Sequence, residues 1–399
     1  MIDLHDMTIY DLPLLDERTA FALVQQTLGK HPQLLDIFPE TFLHDLVPRR
    51  HTLDNFLLLL LVQPDDPYAT AVFSTIVADL ETLKAEAAYE HFRDKFHKHE
   101  QFDFMATVSE LGLAAFVKRL GISVDLEPPT NQGIDCDFRA GTQPVTYWEI
   151  KAVRDLDFVR ADERVYLEVQ RSLRRIPQPL VLHFQSEGLA LNNVGKALSE
   201  VKGEIAEYYA AGGKPPTTFT SHGLRVEITG TTERGYGYLG TMFSPEYVFE
   251  SEQMERIVSR IARAATKLPP NEAGVVVIDT TMAHWIHPHE IVDACFGEEV
   301  GVVVGGVFQN ARRPGGAFRP GSGTRVSAVL HYANELGGGF RSDDEGTSLL
   351  HNPYARNPLP AEFLTAAEFT QYRRVDVGNG RYRLASSADL DQREANQQP

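Results

Sequence analysis

Two short segments carry the residue types that hydrolytic chemistry needs. In Gly133-Ile134-Asp135-Cys136-Asp137-Phe138, the two-residue period of a β-strand sends Ile134, Cys136 and Phe138 to one face and Asp135 with Asp137 to the other. In Tyr147-Trp148-Glu149-Ile150-Lys151, the same alternation separates Trp148 and Ile150, facing a core, from Glu149 and Lys151, facing a polar surface. If the two strands pair across the short turn between them, three carboxylates and one ammonium meet on one patch. Clustered carboxylates repel one another until a divalent cation joins them. Hard oxygen donors of this kind suit magnesium, or manganese in its place, with water and a phosphate oxygen in the remaining positions.

These side chains need elements to hold them. An amphipathic helix runs from about Asp103 to Gly121. Three strands follow, over 122–126, 134–138 and 145–153, with turn signals at Pro128-Pro129-Thr130-Asn131 and Ala140-Gly141-Thr142-Gln143-Pro144 between them. A helical stretch from 161 to 176 is closed by Pro177, and the apolar run Leu180-Val181-Leu182-His183-Phe184 reads as a fourth strand. The order is αβββαβ.

On these residues the chain resembles the PD-(D/E)XK nuclease superfamily, over about residues 101–185. The resemblance implies a restriction-endonuclease-like αβββαβ core within an α/β protein. It matches Asp137 to the family's aspartate, Glu149 to its second acid, Lys151 to its lysine, and Glu110 to the acid many members carry on the first helix. Cys136 stands where the family has proline and Asp135 has no fixed counterpart, so the choice between Asp135 and Asp137 stays open. The implied activity is metal-dependent hydrolysis of phosphodiester bonds in nucleic acid, with DNA the expected substrate. Asp137 and Glu149, with Glu110 and Asp135 nearby, would hold magnesium or manganese, and Lys151 would orient the attacking water or offset charge on the phosphate. The triplet alone carries little, because Glu200-Val201-Lys202 repeats it on a helical stretch; the strand context carries the resemblance. The alternative is a noncatalytic nucleic-acid-binding or scaffold protein of the same fold.

A nucleic-acid substrate needs positive charge. Arg164, Arg171 and Arg175 share one face of the helix expected after the third strand, interrupted by Glu168, with Val165, Val169, Leu173 and Ile176 opposite. Arg312, Arg313, Arg319 and Arg325 lie in a glycine-rich segment read as a mobile loop, a second candidate for clamping substrate. A competing constellation is His284, His287, His289 and Glu290, imidazole-rich and therefore suited to zinc. It would make the protein a zinc hydrolase, but Pro288 breaks the spacing, and capping or surface roles fit it better.

The rest of the 399 residues sets the frame. Residues 1–100 carry apolar positions at helical spacing and no alternating run. Residues 101–335 hold the nuclease-like core and an α/β extension, with helices near 194–211 and 253–267 and strands at 224–229, 274–279 and 326–331. That extension reads as continuous with the core. Residues 336–399 form a C-terminal segment, frayed from about 386. With 38 Lys plus Arg against 55 Asp plus Glu, the net charge of −17 argues against nonspecific coating of polyanions by the whole surface. The apolar run Phe56–Val62 is far too short to span a bilayer. Two distant cysteines, Cys136 and Cys295, match no zinc or redox spacing, and a cytoplasmic protein with buried thiols is the expectation.

Overall fold

The computed structural model describes residues 15–51, 55–97, 101–128, 136–141, 145–153, 180–186, 188–231, 238–239, 250–281, 286–304, 307–312, 315–321, 323–333, 347–359, 370–378 and 381–386. It also describes Leu12, Val165, Tyr166, Glu168, Val169, Ser172, Leu173, Ile176 and Ala283. The chain divides into two compact units: Leu15–Arg154 and Phe249–Pro399 belong to one, Asp155–Val248 to the other.

The first unit opens with helices, as periodicity requires: α1 (Glu17–Lys30), α2 (Leu34–Ile37), α3 (Glu40–Leu46), α4 (Phe56–Leu61), α5 (Pro67–Leu83), α6 (Tyr89–Asp94) and α7 (Gln101–Arg119). Side-chain caps start three of them, Asn55 accepting from the Leu58 amide at 3.2 Å at the start of α4. The Asp16 carboxylate accepts from the Thr19 amide at 2.9 Å, and Asp66 accepts from Ala69 at 2.8 Å, with Pro67 in the first turn of α5. Val72, Phe73, Ile76, Leu80 and Leu83 bury the inward stripe of α5. Arg119 on α7 reaches the buried Asp79 of α5 at 2.6 Å. Helix α7 ends where expected, with Gly121 in the left-handed region at φ 80°. No described helix is long and apolar enough to cross a membrane.

Strands β1 (Val124–Leu126), β2 (Phe138–Ala140) and β3 (Thr146–Ala152) then form an antiparallel meander. The described part of β2 begins at Phe138, later than the 134–138 reading, so Asp137 stands just before it. The next strand, β4 (Leu180–Gln185), forms where expected but is no neighbour of β3. It lies in a separate sheet ordered β5-β6-β4-β7, with β5 Thr217–Ser221, β6 Leu224–Thr231 and β7 Tyr238–Leu239. That sheet and α8 (Val194–Ala210) form the core of the second unit, where Leu182, Phe184, Val226 and Ile228 pack with Val201 and Ile205. Val165, Val169, Leu173 and Ile176 are buried in the same core, as the apolar face of the expected helix requires. Residues 155–248 are therefore a unit of their own, where the sequence pattern suggested continuity with the core.

The strand beside β3 is β8 (Ala273–Asp279), parallel to it, with Glu149 opposite Val276. Helix α9 (Glu250–Ala265) precedes β8 and packs on both strands. Ile257, Ile261, Ala264 and Leu268 are its buried stripe and its continuation. Every residue of β8 is buried, the pattern of a central parallel strand covered on both faces. Gly274 permits the close approach: a Cβ there would sit 2.6 Å from a Leu268 methyl and 3.0 Å from the Arg325 carbonyl.

The sheet continues through β11 (Ala328–Tyr332), β12 (Ser348–His351), β13 (Thr370–Gly378) and β14 (Arg381–Ser386), in the order β1-β2-β3-β8-β11-β12-β13-β14. The C-terminal segment thus supplies three strands of the main sheet, and the fraying expected beyond 386 lies outside the described residues. Helix α10 (Pro288–Phe296) packs against α9, and β9 (Glu299–Val304) pairs with β10 (Val307–Arg312) as a hairpin.

Asp279, at the end of β8, ties α7 to the sheet. Its carboxylate takes the Thr281 amide at 2.9 Å and hydrogen bonds to Ser109, the neighbour of Glu110. Burial raises its proton affinity above the usual carboxylate range. A buried acid of this kind stabilises the fold most fully below its unfolded value of 3.8, and the contribution is lost as pH rises through the higher folded value. Asp279→Asn is accordingly expected to raise the melting temperature at pH 8, with the gain shrinking towards pH 4. A melting series over that range checks it, and a gain independent of pH would contradict the assignment.

Candidate active site

The site begins with a tryptophan. Trp148 is fully buried and stacks on Phe138, its cross-strand partner, with ring centroids 5.2 Å apart. Its indole N–H donates to the Thr146 hydroxyl at 3.0 Å, which donates to the Ala140 carbonyl at 3.2 Å. These contacts lock the β2–β3 register and set Asp137 beside Glu149. The Asp137 amide donates to the Trp148 carbonyl at 3.1 Å, and the Asp137 carboxylate accepts from the Ile150 amide at 2.5 Å.

Glu149 and Lys151 share a face of β3, opposite Trp148 and Ile150, as alternation requires. That polar face is covered at Glu149, which is 0% exposed. Its Oε1 receives the Lys151 ammonium and, at 2.8 Å, the ammonium of Lys267. Its Oε2 is buried with no hydrogen-bond partner among the described residues. Burial raises the Glu149 proton affinity and the neighbouring Asp137 raises it further, while the two lysines pull it down; the net direction is upward.

Around this pair lies a second set of charges. Lys95 sits 3.0 Å from Glu110 on α7 and 2.6 Å from Glu127. Burial opposes its charge, but the two carboxylates win and hold it protonated more firmly than a free lysine. Glu127 has φ 47°, a conformation that costs a non-glycine residue about 1 kcal/mol or more. Its amide donates to the Asp137 carbonyl at 2.9 Å, which sets the chain entering β2. Lys267 belongs to the same field, since Glu149, Asp137 and Glu110 all favour its charged form against the cost of burial.

Sequence reasoning missed Lys267, Lys95 and Glu127. Lys267 follows α9 by two residues, and its relevance depends on β8 lying next to β3, a pairing between segments more than a hundred residues apart. The Glu-x-Lys repeat at Glu200 is a helix-surface acid, as its pattern indicated, accepting from Ser221 at 2.6 Å.

Can the residues hold a metal? Among the described residues, no three His, Cys, Asp or Glu side chains gather as a metal-binding group. Glu110 is committed to Lys95, and Asp135 lies outside the described residues. What favours a cation is the chemistry of the pair itself. Asp137 and Glu149 present hard oxygens side by side, and the buried Oε2 lacks a donor. The negative field also reaches the Cys136 thiol, which burial and these two acids push up to about 12, far from a reactive thiolate. A divalent ion held by Asp137 and Glu149 and completed by water fits the donor set.

The arginines are less united than their sequence suggested. Arg164, Arg171, Arg175 and Arg313 lie outside the described residues. Arg312, expected in a substrate clamp, is turned inward instead: only 10% exposed, it pairs with Asp293, with Glu299 at 3.4 Å and with the Gly297 carbonyl at 2.6 Å. It ends β10 and neutralises the C-terminus of α10. The described part of the segment after it, read as a mobile loop, packs against α10. Phe318 is buried against Phe296, and the amides of Ala317 and Phe318 donate to Ala294 and Cys295 at 2.7 and 2.8 Å. Arg319 is exposed and Arg325 partly so. Arg312→Ala is expected to cost about 2 kcal/mol of stability by stranding its acids. Urea unfolding of the variant beside the wild type reads the effect, and an unchanged midpoint would contradict it.

His284 lies outside the described residues. His287 is the residue before α10, its amide donating to Glu290 at 2.7 Å, and its ring stacks on His289 with centroids 5.6 Å apart. Glu290 is thus spent on capping, the role the sequence favoured.

Comparison of the chain with protein-family models, curated proteins and solved structures returns no match.

Proposed function

We propose that the protein is a metal-dependent nuclease with a restriction-endonuclease-like core, hydrolysing phosphodiester bonds of nucleic acid, with DNA the favoured substrate. The observation that carries this reading is the fully buried Glu149, with one oxygen bound to lysine and the other lacking a donor among the described residues, beside Asp137 on a locked strand pair. The element order supports it: α7, β1, β2 and β3 are followed, after residues 155–248, by α9 and β8, with β8 parallel to β3. In this reading the second helix and fourth strand of the αβββαβ order are α9 and β8, in place of those the local pattern suggested.

In this reading Asp137 and Glu149 hold magnesium or manganese. The ion, when bound, supplies a Lewis acid and a water acidified into the neutral range. The chain's own residues do the rest. Lys151, on the same face as Glu149, offsets negative charge growing on the phosphate and orients the water. Trp148 and Phe138 keep the two acids at fixed separation, so little reorganisation is needed during reaction. Glu110 and Glu127, bridged by Lys95, hold α7 and the entry to β2 around the acids. Exposed Arg319 and partly exposed Arg325 are the candidates for phosphate contacts.

The test is incubation of the full chain with labelled single- and double-stranded DNA and RNA in magnesium, manganese or EDTA. Cleavage that requires the metal supports the proposal. Nucleic-acid binding without cleavage in either metal would favour the noncatalytic reading.

A further inference from the structure

We infer that Lys267 is a placeholder cation: its ammonium occupies Glu149 in the metal-free protein and is released when a divalent ion binds. The inference rests on the metal-site reading above and adds a regulated step to it. Three observations lead there. First, two ammoniums share one oxygen of Glu149, although a single carboxylate needs only one to be neutralised. Second, Asp137 and Glu149 already face the ammoniums of Lys151 and Lys267, so a divalent ion entering beside the two acids meets two cations at close range, and release of one of them relieves that repulsion. Third, the two lysines are not equally able to go. Lys151 projects from the middle of the sheet two residues from Glu149. Lys267 hangs from the turn between α9 and β8, with 37% of its side chain exposed against 24% for Lys151.

The turn itself stays in place. Leu268, the next residue, is fully buried and packed against the backbone of Gly274. Release therefore requires only rotation of the four-carbon lysine stem towards water, with no change in the fold. A phosphate oxygen of the substrate is the natural next partner for the freed ammonium. Lys267 is a positioning residue in this scheme: it keeps the buried carboxylate satisfied and aimed until the metal arrives.

The experiment measures free manganese by its paramagnetic resonance during titration of the full-length wild type, Lys267→Met, Lys267→Gln and Lys267→Arg, alongside metal-free melting. Loss of the competing charge should make the Met and Gln variants bind manganese about tenfold more tightly. The same variants should melt about 2–4 °C lower without metal, since Glu149 loses a partner. Arg at 267 should restore both values. A merely structural lysine lowers the melting temperature but leaves the affinity alone. Manganese affinity unchanged or weaker in folded Lys267→Met and Lys267→Gln would overturn the inference while leaving the metal site standing. Absence of manganese binding in all four proteins would overturn the metal-site reading itself, and the inference with it.

Discussion

On the proposed function, Lys151→Ala is expected to slow single-turnover DNA cleavage in magnesium by ~100- to 1000-fold, about 3–4 kcal/mol of barrier, and to leave the protein folded. The size is what removing one preorganised charge beside a reacting phosphate costs if the proposed role of Lys151 holds. The intact fold follows from the structure: Glu149 keeps Lys267 at 2.8 Å when Lys151 is gone, so the buried carboxylate is not stranded. Metal affinity should not fall, because Lys151 is a neighbour of the ligands and not one of them. Quenched-flow rates at saturating magnesium, with circular dichroism as a folding control, read this directly. Near wild-type cleavage would remove Lys151 from the mechanism.

The second large effect is thermodynamic. Burial raises the proton affinity of Glu149 and the neighbouring Asp137 raises it further, against the pull of Lys151 and Lys267, so a divalent ion beside the two carboxylates is favoured. Manganese at a hundred times its dissociation constant should then stabilise the wild type by about 2.7 kcal/mol through linkage. Asp137→Asn should lose most of that gain, because one hard anionic oxygen set is replaced by a neutral amide, while the Ile150 amide keeps an oxygen to donate to. Differential scanning fluorimetry with and without manganese gives the comparison. Equal shifts in mutant and wild type would place the metal elsewhere, with the segment around His287 and His289 the next site to test.

Much of the site was legible in the residues. Alternation in Tyr147-Trp148-Glu149-Ile150-Lys151 separates core from chemistry correctly, because the period of two is a property of the strand alone. It cannot say what covers the second face. Glu149 is buried because α9 and its following turn lie over β3, and that layer is supplied by residues 250–268, far along the chain. The same limit explains the misplaced fourth strand. Leu180–Gln185 and Ala273–Asp279 are both apolar runs after a helix, and the nearer one was the natural choice. Their patterns do differ. Residues 180–185 alternate buried and part-exposed, as in a one-sided sheet, whereas 273–279 are buried throughout, as in a central parallel strand. Val275-Val276-Val277-Ile278 carries that signal in the sequence itself. Arg312 could not be placed this way, since its partners Asp293 and Glu299 meet it only through the α10 end and the β9–β10 pairing.

The central claim is that Glu149 anchors a metal-dependent phosphodiesterase centre. Its most direct measurement is cleavage of an end-labelled DNA duplex and its single strands by wild type and Glu149→Gln, each in magnesium and in EDTA. Glutamine keeps the shape and a hydrogen-bond acceptor for the two lysines but removes the charge that binds the ion. The expected result is cleavage by the wild type in magnesium alone, and none by Glu149→Gln in either condition. Cleavage by Glu149→Gln at the wild-type rate, or cleavage by the wild type undiminished in EDTA, would contradict the claim.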